Sequence, residues 1–248
     1  MTYNNFKLTI EYDGSNYHGW QKQKNERTIQ DEIEKAIFKI TRNKVVISGS
    51  GRTDAGVHAL NQTANFFCNT DIEATGLGKA INSLVPEDII IKACEKVDET
   101  FHARYDAKSK VYHYRILNRD MPAAICRQYA WFIPKKLHVD AMKASVCHLH
   151  GKKDYKAFEG SGSPRSSTIR QIISAELETM DQGYLIFKIQ GEGFLRYMVR
   201  NIVGTLVDAG LGKITPDDFK NIIDSGNRSL AGRTAPAQGL FLMHVYYV

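Results

Sequence analysis

A glycine-rich turn carries the side chains of this sequence that are best suited to chemistry. It has the sequence SGSGRTDAGVHA from Ser48 to Ala59 and follows the apolar run KVVI. Asp54 supplies a carboxylate, Arg52 a guanidinium and His58 an imidazole, and the glycines let the backbone approach a ligand closely. The turn could therefore bind a phosphate, hold a metal ion, or use its carboxylate as a catalyst or as a cap for backbone amides.

The spacing within the turn excludes two nucleotide-binding motifs. Gly49, Gly51 and Gly56 form G-x-G-x-x-x-x-G, which is not the dinucleotide fingerprint G-x-G-x-x-G, and no Gly-Lys-Ser/Thr of a P-loop follows. Asp54 and His58 are two candidate metal ligands close in sequence, whereas a metal cage needs more. If the turn is considered without its wider sequence, the simplest interpretation is that the carboxylate of Asp54 caps backbone amides.

The composition is that of an ordinary soluble globular protein. The chain has 248 residues, of which 43% are hydrophobic and 24% charged, enough for one large domain or two small ones. It contains no run of about 18 apolar residues and no signal-peptide pattern, so we expect no membrane span and a cytoplasmic protein. Neither C-x-x-C nor zinc-finger spacing occurs among the cysteines, which we expect to be reduced: Cys68, Cys94, Cys126 and Cys147.

The positive charge is concentrated in the second part of the chain. The net charge is +6, with a balance of −2 over residues 1–100 and of +8 over residues 101–248. Such asymmetry favours a polyanionic partner such as nucleic acid. The stretch from Phe101 to Arg119 interleaves aromatic residues with basic ones and holds a single acid, Asp106, a pattern typical of surfaces that stack bases and follow phosphates. Its basic residues are Arg104, Lys108, Lys110, Arg115 and Arg119.

Periodic patterns divide the first hundred residues into six elements. The order strand, helix, strand, strand, helix, strand is predicted by FKLTIEY, TIQDEIEKAIFKI, KVVIS, NQTANFFC, ATGLGKAINSLV and DIIIKACEKV. Thr28 and Asp31 are spaced as a capping box at the start of the first helix. This βαββαβ order is that of a ferredoxin-like split βαβ unit.

The remaining residues show a looser version of the same order. The pattern predicts strands SKVYHYRIL and YAWFI, helix HVDAMKASVCHLH, a hairpin of RQIISAELETM and YLIFKIQ around DQG, helices FLRYMVRNIVGTLVDAG and TPDDFKNIIDSG, and strand GLFLMHVYYV. Thr215 and Pro216 are placed to start the last helix. The polar, basic stretch from Gly151 to Thr168 is either a surface loop or a mobile loop that contacts a phosphate chain.

These elements predict an α+β fold. We expect two ferredoxin-like halves of βαββαβ type, with antiparallel sheets that form a central cleft. The predicted domains are residues 1–104, which carry the Asp54 turn, and residues 105–248, the basic half that completes the active site.

Five long segments resemble the TruA family of tRNA pseudouridine synthases, in the family's order. They are YDGSNYHGWQKQ near the N-terminus, GRTDAGVHA in the turn, FHARYDAKSKVYHYRI from Phe101 to Ile116, GEGFLRYMVRNIVG from Gly191 to Gly204, and TAPAQGLFLMHVYY from Thr234 to Tyr247. The resemblance implies a tRNA partner and a homodimer. It also implies isomerisation of uridine to pseudouridine at positions 38, 39 and 40 of the anticodon stem-loop.

The chemistry of that reaction suits an aspartate in this turn. The bond between ribose C1′ and uracil N1 must break, the base must turn, and C5 must join C1′. A carboxylate can stabilise the positive charge on the sugar or attack it as a nucleophile, and the resemblance makes Asp54 that residue. No redox change occurs and no group comes from outside, so we expect neither a cofactor nor a metal.

The resemblance implies roles for four further residues. Arg200 would pair with Asp54 and keep it ionised, since burial alone would raise the pKa of the carboxyl. Arg52 would brace the stack that the flipped uridine leaves, and Tyr112 would stack on the uracil. Leu240 would line the uracil pocket. Each also has an ordinary structural interpretation, as an exposed arginine or a packed strand residue.

Two other classes of function compete with an isomerase. Ferredoxin-like halves with basic, aromatic strands also serve as noncatalytic RNA-binding modules, although the RNP pattern K/R-G-F/Y-G/A-F-V-x-F/Y does not occur here. The glycine spacing described above excludes the second alternative, a dinucleotide-dependent enzyme. Replacement of Asp54 by alanine separates the first two, because only an enzyme would lose turnover while it kept its affinity for tRNA.

Overall fold

The chain folds as an α+β protein of two compact units. The computed structural model describes residues 3–160, 162 and 166–247. Unit 1 comprises Met1–Lys108 with Phe241–Val248, and unit 2 comprises Ser109–Leu240. Helices and mostly antiparallel strand pairs occur in the described ranges, which confirms the predicted α+β class. The predicted domain boundary between residues 104 and 105 stays a prediction.

Ten strands and five α-helices occur within the described ranges. The strands are β1 (Asn4–Tyr12), β2 (Ser48–Gly49), β3 (His58–Cys68), β4 (Ile89–Val97), β5 (Ser109–Asn118), β6 (Trp131–Ile133), β7 (Gly151–Asp154), β8 (Ile169–Thr179), β9 (Tyr184–Gly191) and β10 (Leu240–Tyr246). The helices are α1 (Ile29–Thr41), α2 (Ala74–Asn82), α3 (Val139–Val146), α4 (Met198–Gly210) and α5 (Pro216–Ser225). In the same ranges, no helix has the length and apolar character needed to cross a bilayer.

The sheet of unit 1 is centred on β1 and β3. Its order is β4-β1-β3, with antiparallel pairing throughout. On the other edge of β3, β2 pairs antiparallel with Asn65 and Ala64, and β10 pairs parallel with His58 and Ala59. The predicted order of elements in this half therefore agrees with the strands and helices found between Asn4 and Val97.

A single apolar stripe buries α1 in the core of unit 1. Ile29, Ile33 and Ile37 are fully buried, as the helical period predicts. Leu8 and Ile10, which alternate along β1, are fully buried as well. This core supports the two strand ends, of β2 and β3, between which the Asp54 turn lies.

The predicted strand KVVIS is wrong for most of its length. Only Ser48, with Gly49, is in a strand, and residues 42–47 have no regular structure. Ile47 is nevertheless buried, and side chains of α1 satisfy its backbone: its N–H donates to Glu34 Oε1 at 3.1 Å and its carbonyl accepts from Gln30 Nε2 at 3.2 Å. Ile47 therefore packs in the core without joining the sheet, whereas Val45 is half-buried and Val46 is exposed.

The predicted capping box at the start of α1 is also not formed. Thr28 is the N-cap residue, but its side chain makes no capping hydrogen bond. The carboxylate of Asp31 instead binds the ammonium groups of Lys22 and Lys35, each at 2.7 Å. These two cations compete for the oxygen atoms that a capping box would use.

Unit 2 is built on a hairpin-rich antiparallel sheet. Its order is β5-β9-β8-β7, and β6 pairs parallel with the other edge of β5. The predicted hairpin of β8 and β9 around Asp181–Gly183 is confirmed. The predicted start of α5 is confirmed as well, because Thr215 and Asp218 form a reciprocal capping box ahead of the first turn.

Two segments of unit 2 differ from their predicted structures. The helix predicted from Phe194 begins only at Met198, because Tyr197 has a positive φ of 60° and closes a loop before it. In the predicted loop from Gly151 to Thr168, β7 forms and Tyr155 and Phe158 are fully buried in the core. Residues 161 and 163–165 of that segment lie outside the described residues.

Candidate active site

The Asp54 turn connects β2 to β3 in unit 1 and carries two charged residues that are at least partly exposed. Arg52 is exposed and Asp54 half-buried, whereas Thr53 between them is buried. The carbonyl of Asp54 accepts a hydrogen bond from the N–H of Val57 at 3.1 Å, and Gly56 takes a positive φ of 77° to close this turn. The sequence thus places one carboxylate and one guanidinium on the accessible side of a tight turn.

The N-terminal segment that follows β1 braces this turn from outside. The N–H of Trp20 donates to the carbonyl of Thr53 at 3.1 Å, and the N–H of Gly56 donates to the carbonyl of Tyr17 at 3.3 Å. A Cβ on Gly19 would lie 2.6 Å from the carbonyl oxygen of Thr53, a distance that real Cβ atoms do not adopt. Backbone contact this close requires glycine, which explains the glycines of the segment YDGSNYHGW.

A buried hydrogen-bond network fixes the turn from inside. The hydroxyls of Tyr12 and Thr53 are 2.7 Å apart. Gln62 uses both ends of its amide, since Oε1 accepts from Ser50 Oγ at 2.6 Å and Nε2 donates to the carbonyl of Gly51 at 2.9 Å. Tyr12, Ser50, Thr53 and Gln62 are all buried. Burial raises the pKa of Tyr12 to about 12, so its phenol stays neutral at physiological pH.

His58 lies at the end of the turn and packs into the core of unit 1. It is buried, and its ring stacks on Phe241 with centroids 4.7 Å apart. Its Nδ1 accepts from the N–H of Gly14 at 3.1 Å and lies 3.0 Å from Asp13 Oδ1. Among the described residues, no group of three or more His, Cys, Asp or Glu side chains lies where it could hold a metal ion.

Arg200 lies in the first turn of α4 in unit 2 and is half-buried. Its Nε donates to the carbonyl of Ala235 at 2.7 Å, and its own carbonyl accepts from the N–H of Ala235 at 3.1 Å. The guanidinium carbon is 5.1 Å from the centroid of the Tyr197 ring. These contacts set the plane of the guanidinium.

The two tyrosines that alternate along β5 have different environments. Tyr114 is fully buried and donates its hydroxyl to the carbonyl of Pro236 at 2.7 Å, and burial raises its pKa although Arg200 and Arg233 act in the opposite direction. Tyr112 is 8% exposed and meets the edge of Phe194 at a centroid distance of 5.2 Å. Both tyrosines are therefore buried, and of the two Tyr112 has the larger exposed fraction.

The predicted site residues divide between the two units. Asp54 and Arg52 belong to unit 1, whereas Tyr112, Arg200 and Leu240 belong to unit 2. Leu240, at the start of β10, is buried with 6% of its surface exposed. Sequence reasoning missed Tyr12, Gln62 and Trp20, which hold the turn. The available signal was the polar pair Gln62–Thr63 at the start of the strand NQTANFFC, directly after the turn.

Comparison with known proteins decides the family. A family model described as tRNA pseudouridine synthase matches residues 8–106 and 146–248. The chain is 49% identical over 243 residues to the tRNA pseudouridine synthase A of Acetivibrio thermocellus, covering 98% of this chain and 99% of that protein. It is 46% identical, with the same coverage, to proteins of that name from Thermoanaerobacter pseudethanolicus and Clostridium acetobutylicum.

The chain belongs to the tRNA pseudouridine synthase family. The resemblance found in its sequence is confirmed, and the protein is an isomerase that acts on tRNA. A solved structure titled "Crystal Structure of a Cbf5-Nop10-Gar1 Complex" also matches, with a TM-score of 0.34 and 12% identity over 95% of this chain and 57% of that chain. That likeness is too low to add to the description of the fold.

Proposed function

We propose that the enzyme isomerises uridine to pseudouridine at positions 38, 39 and 40 of the anticodon stem-loop of tRNA. The observation that carries this proposal is the family match, which spans both long parts of the chain and includes the Asp54 turn. The surplus of eight positive charges over residues 101–248 is suited to a substrate whose backbone is a polyanion. The reaction is balanced within the substrate, because C5 loses a proton and N1 gains one.

Asp54 is the proposed catalytic residue. When the bond between C1′ and N1 breaks, positive charge develops on the ribose, and a carboxylate can stabilise it or attack C1′ to form a covalent intermediate. Support comes from the partial exposure of Asp54 on a turn whose backbone is held by hydrogen bonds from two sides. A fixed turn keeps the carboxylate oxygens at one distance from the sugar, which lowers the entropic cost of the reaction.

Arg200 is the proposed partner that keeps Asp54 ionised. A flipped nucleotide would cover the carboxylate and raise its pKa, and a nearby guanidinium opposes that effect. Support comes from the anchoring of Arg200 Nε by Ala235, which orients the guanidinium plane.

This role depends on a wider proposal, that the chain forms two ferredoxin-like halves with a cleft between them. Support comes from unit 1, whose antiparallel strand order β4-β1-β3-β2 is the order that a ferredoxin-like half requires.

Three further residues are proposed to handle the flipped uridine. Arg52, which is exposed beside Asp54, would brace the vacated stack and bind phosphate. Tyr112 would stack on the uracil, and its edge contact with Phe194 would hold the ring in place. Leu240 would form an apolar wall of the uracil pocket.

We also propose that the enzyme is cytoplasmic and forms a homodimer. Sedimentation at working concentration tests whether it is a dimer.

Release of tritium from tRNA tests the catalytic assignment. When tRNA carries tritium at uridine C5, isomerisation must release the label to water. We expect the wild type to release it and Asp54→Asn to bind the same tRNA without release, because asparagine keeps the shape of the side chain and removes its charge. Label release by Asp54→Asn at the wild-type rate would show that Asp54 is not the catalyst, and a wild type that releases none from positions 38, 39 and 40 would exclude the proposed substrate.

A further inference from the structure

One aromatic side chain of unit 1 projects from the surface beside two basic groups. Tyr105 is 75% exposed, in the loop that follows β4. The ring of His102 lies against it, with centroids 4.3 Å apart and planes inclined by 35°. The guanidinium carbon of Arg104 is 5.7 Å from the centroid of the same ring. We name these three residues, His102, Arg104 and Tyr105, the Tyr105 platform.

Hydrogen bonds within the loop fix the backbone of the platform and the ring of His102. The carboxylate of Asp106 accepts from the N–H of His102 at 2.8 Å, and the N–H of Asp106 donates to the carbonyl of His102 at 3.1 Å. The N–H of Arg104 donates to His102 Nδ1 at 3.1 Å, which fixes the imidazole against the backbone. The loop therefore orients its own aromatic rings before any partner is bound.

Hydrogen bonds to the body of unit 1 anchor the same loop. Ala103 between the platform residues is fully buried; its N–H donates to Asn65 Oδ1 at 2.9 Å and its carbonyl accepts from the hydroxyl of Tyr247 at 2.7 Å. The carbonyl of Phe101 accepts from Asn5 Nδ2 at 2.8 Å. A ring on so firmly anchored a loop loses little conformational entropy when a ligand stacks on it.

The platform combines the two features that bind a single-stranded nucleotide. An exposed ring offers a π-face on which a base can stack, and neighbouring cations attract the phosphate next to that base. Arg104 and Lys108 are exposed on this loop, while the carboxylate of Asp106, its one acid between residues 101 and 108, is engaged by the backbone of His102. Asp98 and Glu99 at the start of the same loop offset this charge, so the attraction for a phosphate is local: it comes from Arg104, whose guanidinium carbon is 5.7 Å from the ring centroid.

We infer that the Tyr105 platform stacks an unpaired nucleobase of the RNA substrate while Arg104 binds the adjacent phosphate. Because bases in a duplex are already stacked on each other, the platform selects a base in a loop, a bulge or a single-stranded end. This inference rests on the proposed function for the identity of the RNA, tRNA. Its role is affinity and placement of the substrate, separate from the chemistry assigned to Asp54.

Binding of tRNA by three full-length variants tests the inference. We expect Tyr105→Ala to weaken binding about tenfold at fixed salt, the effect of one lost stacked base, and Tyr105→Phe to bind as the wild type does, because phenylalanine keeps the π-face. Tyr3→Ala is the matched control, since Tyr3 is an exposed tyrosine of the same unit at 55% exposure. Fluorescence anisotropy measures the affinities, and equal affinity for Tyr105→Ala and the wild type would overturn the platform, as would equal losses in Tyr105→Ala and Tyr105→Phe.

The salt dependence separates the stacking contact from the phosphate contact. We expect Arg104→Gln to reduce the slope of log affinity against log salt by about 0.7 to 1, and Tyr105→Ala to leave that slope unchanged. In steady state, Tyr105→Ala should raise KM for tRNA and leave kcat unchanged. An unchanged slope in Arg104→Gln would overturn the phosphate contact, and a fall in kcat without a change in KM would overturn the binding role.

The same assays distinguish this inference from the proposed function. A wild type that binds tRNA but releases no tritium would contradict the proposed function, while a tenfold loss in Tyr105→Ala would still support the platform. A wild type that releases tritium, together with full affinity in Tyr105→Ala, would overturn the platform alone. A wild type that does not bind tRNA would overturn both.

Discussion

The hydroxyl of Tyr12 lies 2.7 Å from the hydroxyl of Thr53, and both side chains are buried. This hydrogen bond joins the end of β1 to the residue that precedes Asp54. A bulge in the pairing of β1 with β3, between Ile10 and Tyr12, shifts the register and sets where the phenol lies. The position of the candidate catalytic carboxylate thus depends on a contact between two residues 41 positions apart in sequence.

Tyr12→Phe removes this hydrogen bond without removing the ring. We expect the free energy of unfolding to fall by about 1–2 kcal/mol, because the hydroxyl of Thr53 loses a buried partner. Turnover at saturating tRNA should fall several-fold, since the turn is less firmly held. Urea denaturation and tritium release measure the two effects. Tyr246→Phe, which alters an exposed tyrosine of β10, is the control; equal behaviour of the two variants would show that the Tyr12 hydroxyl does not hold the turn.

The raised pKa of Tyr12 predicts a loss of stability at alkaline pH. Burial raises this pKa from 10.0 to about 12, while hydrogen bonds from Thr53 and Gln62 act in the opposite direction. The unfolded chain therefore releases this proton at lower pH than the folded chain, so the stabilisation is complete below pH 10 and is lost as the pH rises toward about 12.

Denaturant titrations at increasing pH measure this loss. Burial raises the pKa values of Tyr114 and Tyr155 as well, so the wild type should lose stability from several tyrosines in this range. Tyr12→Phe should show a shallower decline than the wild type between pH 10 and 12. Parallel curves for the two proteins would mean that Tyr12 ionises equally easily in the folded and unfolded chains.

Local patterns predicted most elements but not how their polar groups are satisfied. The alternation of FKLTIEY predicted β1 correctly. The helical period predicted that Ile29, Ile33, Ile37 and Ile40 share one face of α1; the first three are fully buried and Ile40 is half-buried. The run KVVIS was assigned to a strand because an apolar run does not reveal that its backbone partners are the side chains of Gln30 and Glu34. Such long-range hydrogen bonds depend on tertiary packing, which a window of ten residues does not contain.

The residues of the candidate site fall into the same two groups: those that the sequence indicates and those whose roles depend on the fold. The residue types of the glycine-rich turn pointed to Asp54, whereas Arg200 and Tyr112 were predicted only because whole segments resemble a family. Tyr12 and Gln62 were missed because their roles follow from the register of β1 and β3 rather than from neighbouring residues. Sequence thus indicated the reactive groups, while the groups that hold them required the fold.

Arg200→Met should abolish turnover and leave the fold intact. We expect a loss of at least about 100-fold in kcat if the guanidinium acts on the reacting carboxylate, together with about 1 kcal/mol in stability from the lost hydrogen bond to Ala235. Single-turnover tritium release and a thermal melt measure the two quantities. Arg196→Met is the control, because Arg196 also lies over the ring of Tyr197, at 4.7 Å, but precedes α4. Wild-type kcat in Arg200→Met would exclude the proposed partnership.

Two glycines with similar backbone conformations provide a test of how closely the turn is packed. Gly19 has a φ of +89° and Gly151 a φ of +96°, so an alanine at either position incurs a similar backbone penalty of about 1 kcal/mol. A Cβ at Gly151 would meet no atom within 4 Å, whereas at Gly19 it would lie 2.6 Å from the carbonyl oxygen of Thr53 and 3.0 Å from the carbonyl carbon of Asp54.

We therefore expect Gly19→Ala to lose about 1–3 kcal/mol more stability than Gly151→Ala, because the added methyl group must displace the turn. Turnover should fall only in Gly19→Ala, since a shift of Asp54 by a fraction of an ångström would displace the proposed catalytic carboxylate. Denaturant titration and tritium release compare the two variants directly. If both kept full turnover and lost the same stability, the N-terminal segment would be a neighbour of the turn that does not set the position of Asp54.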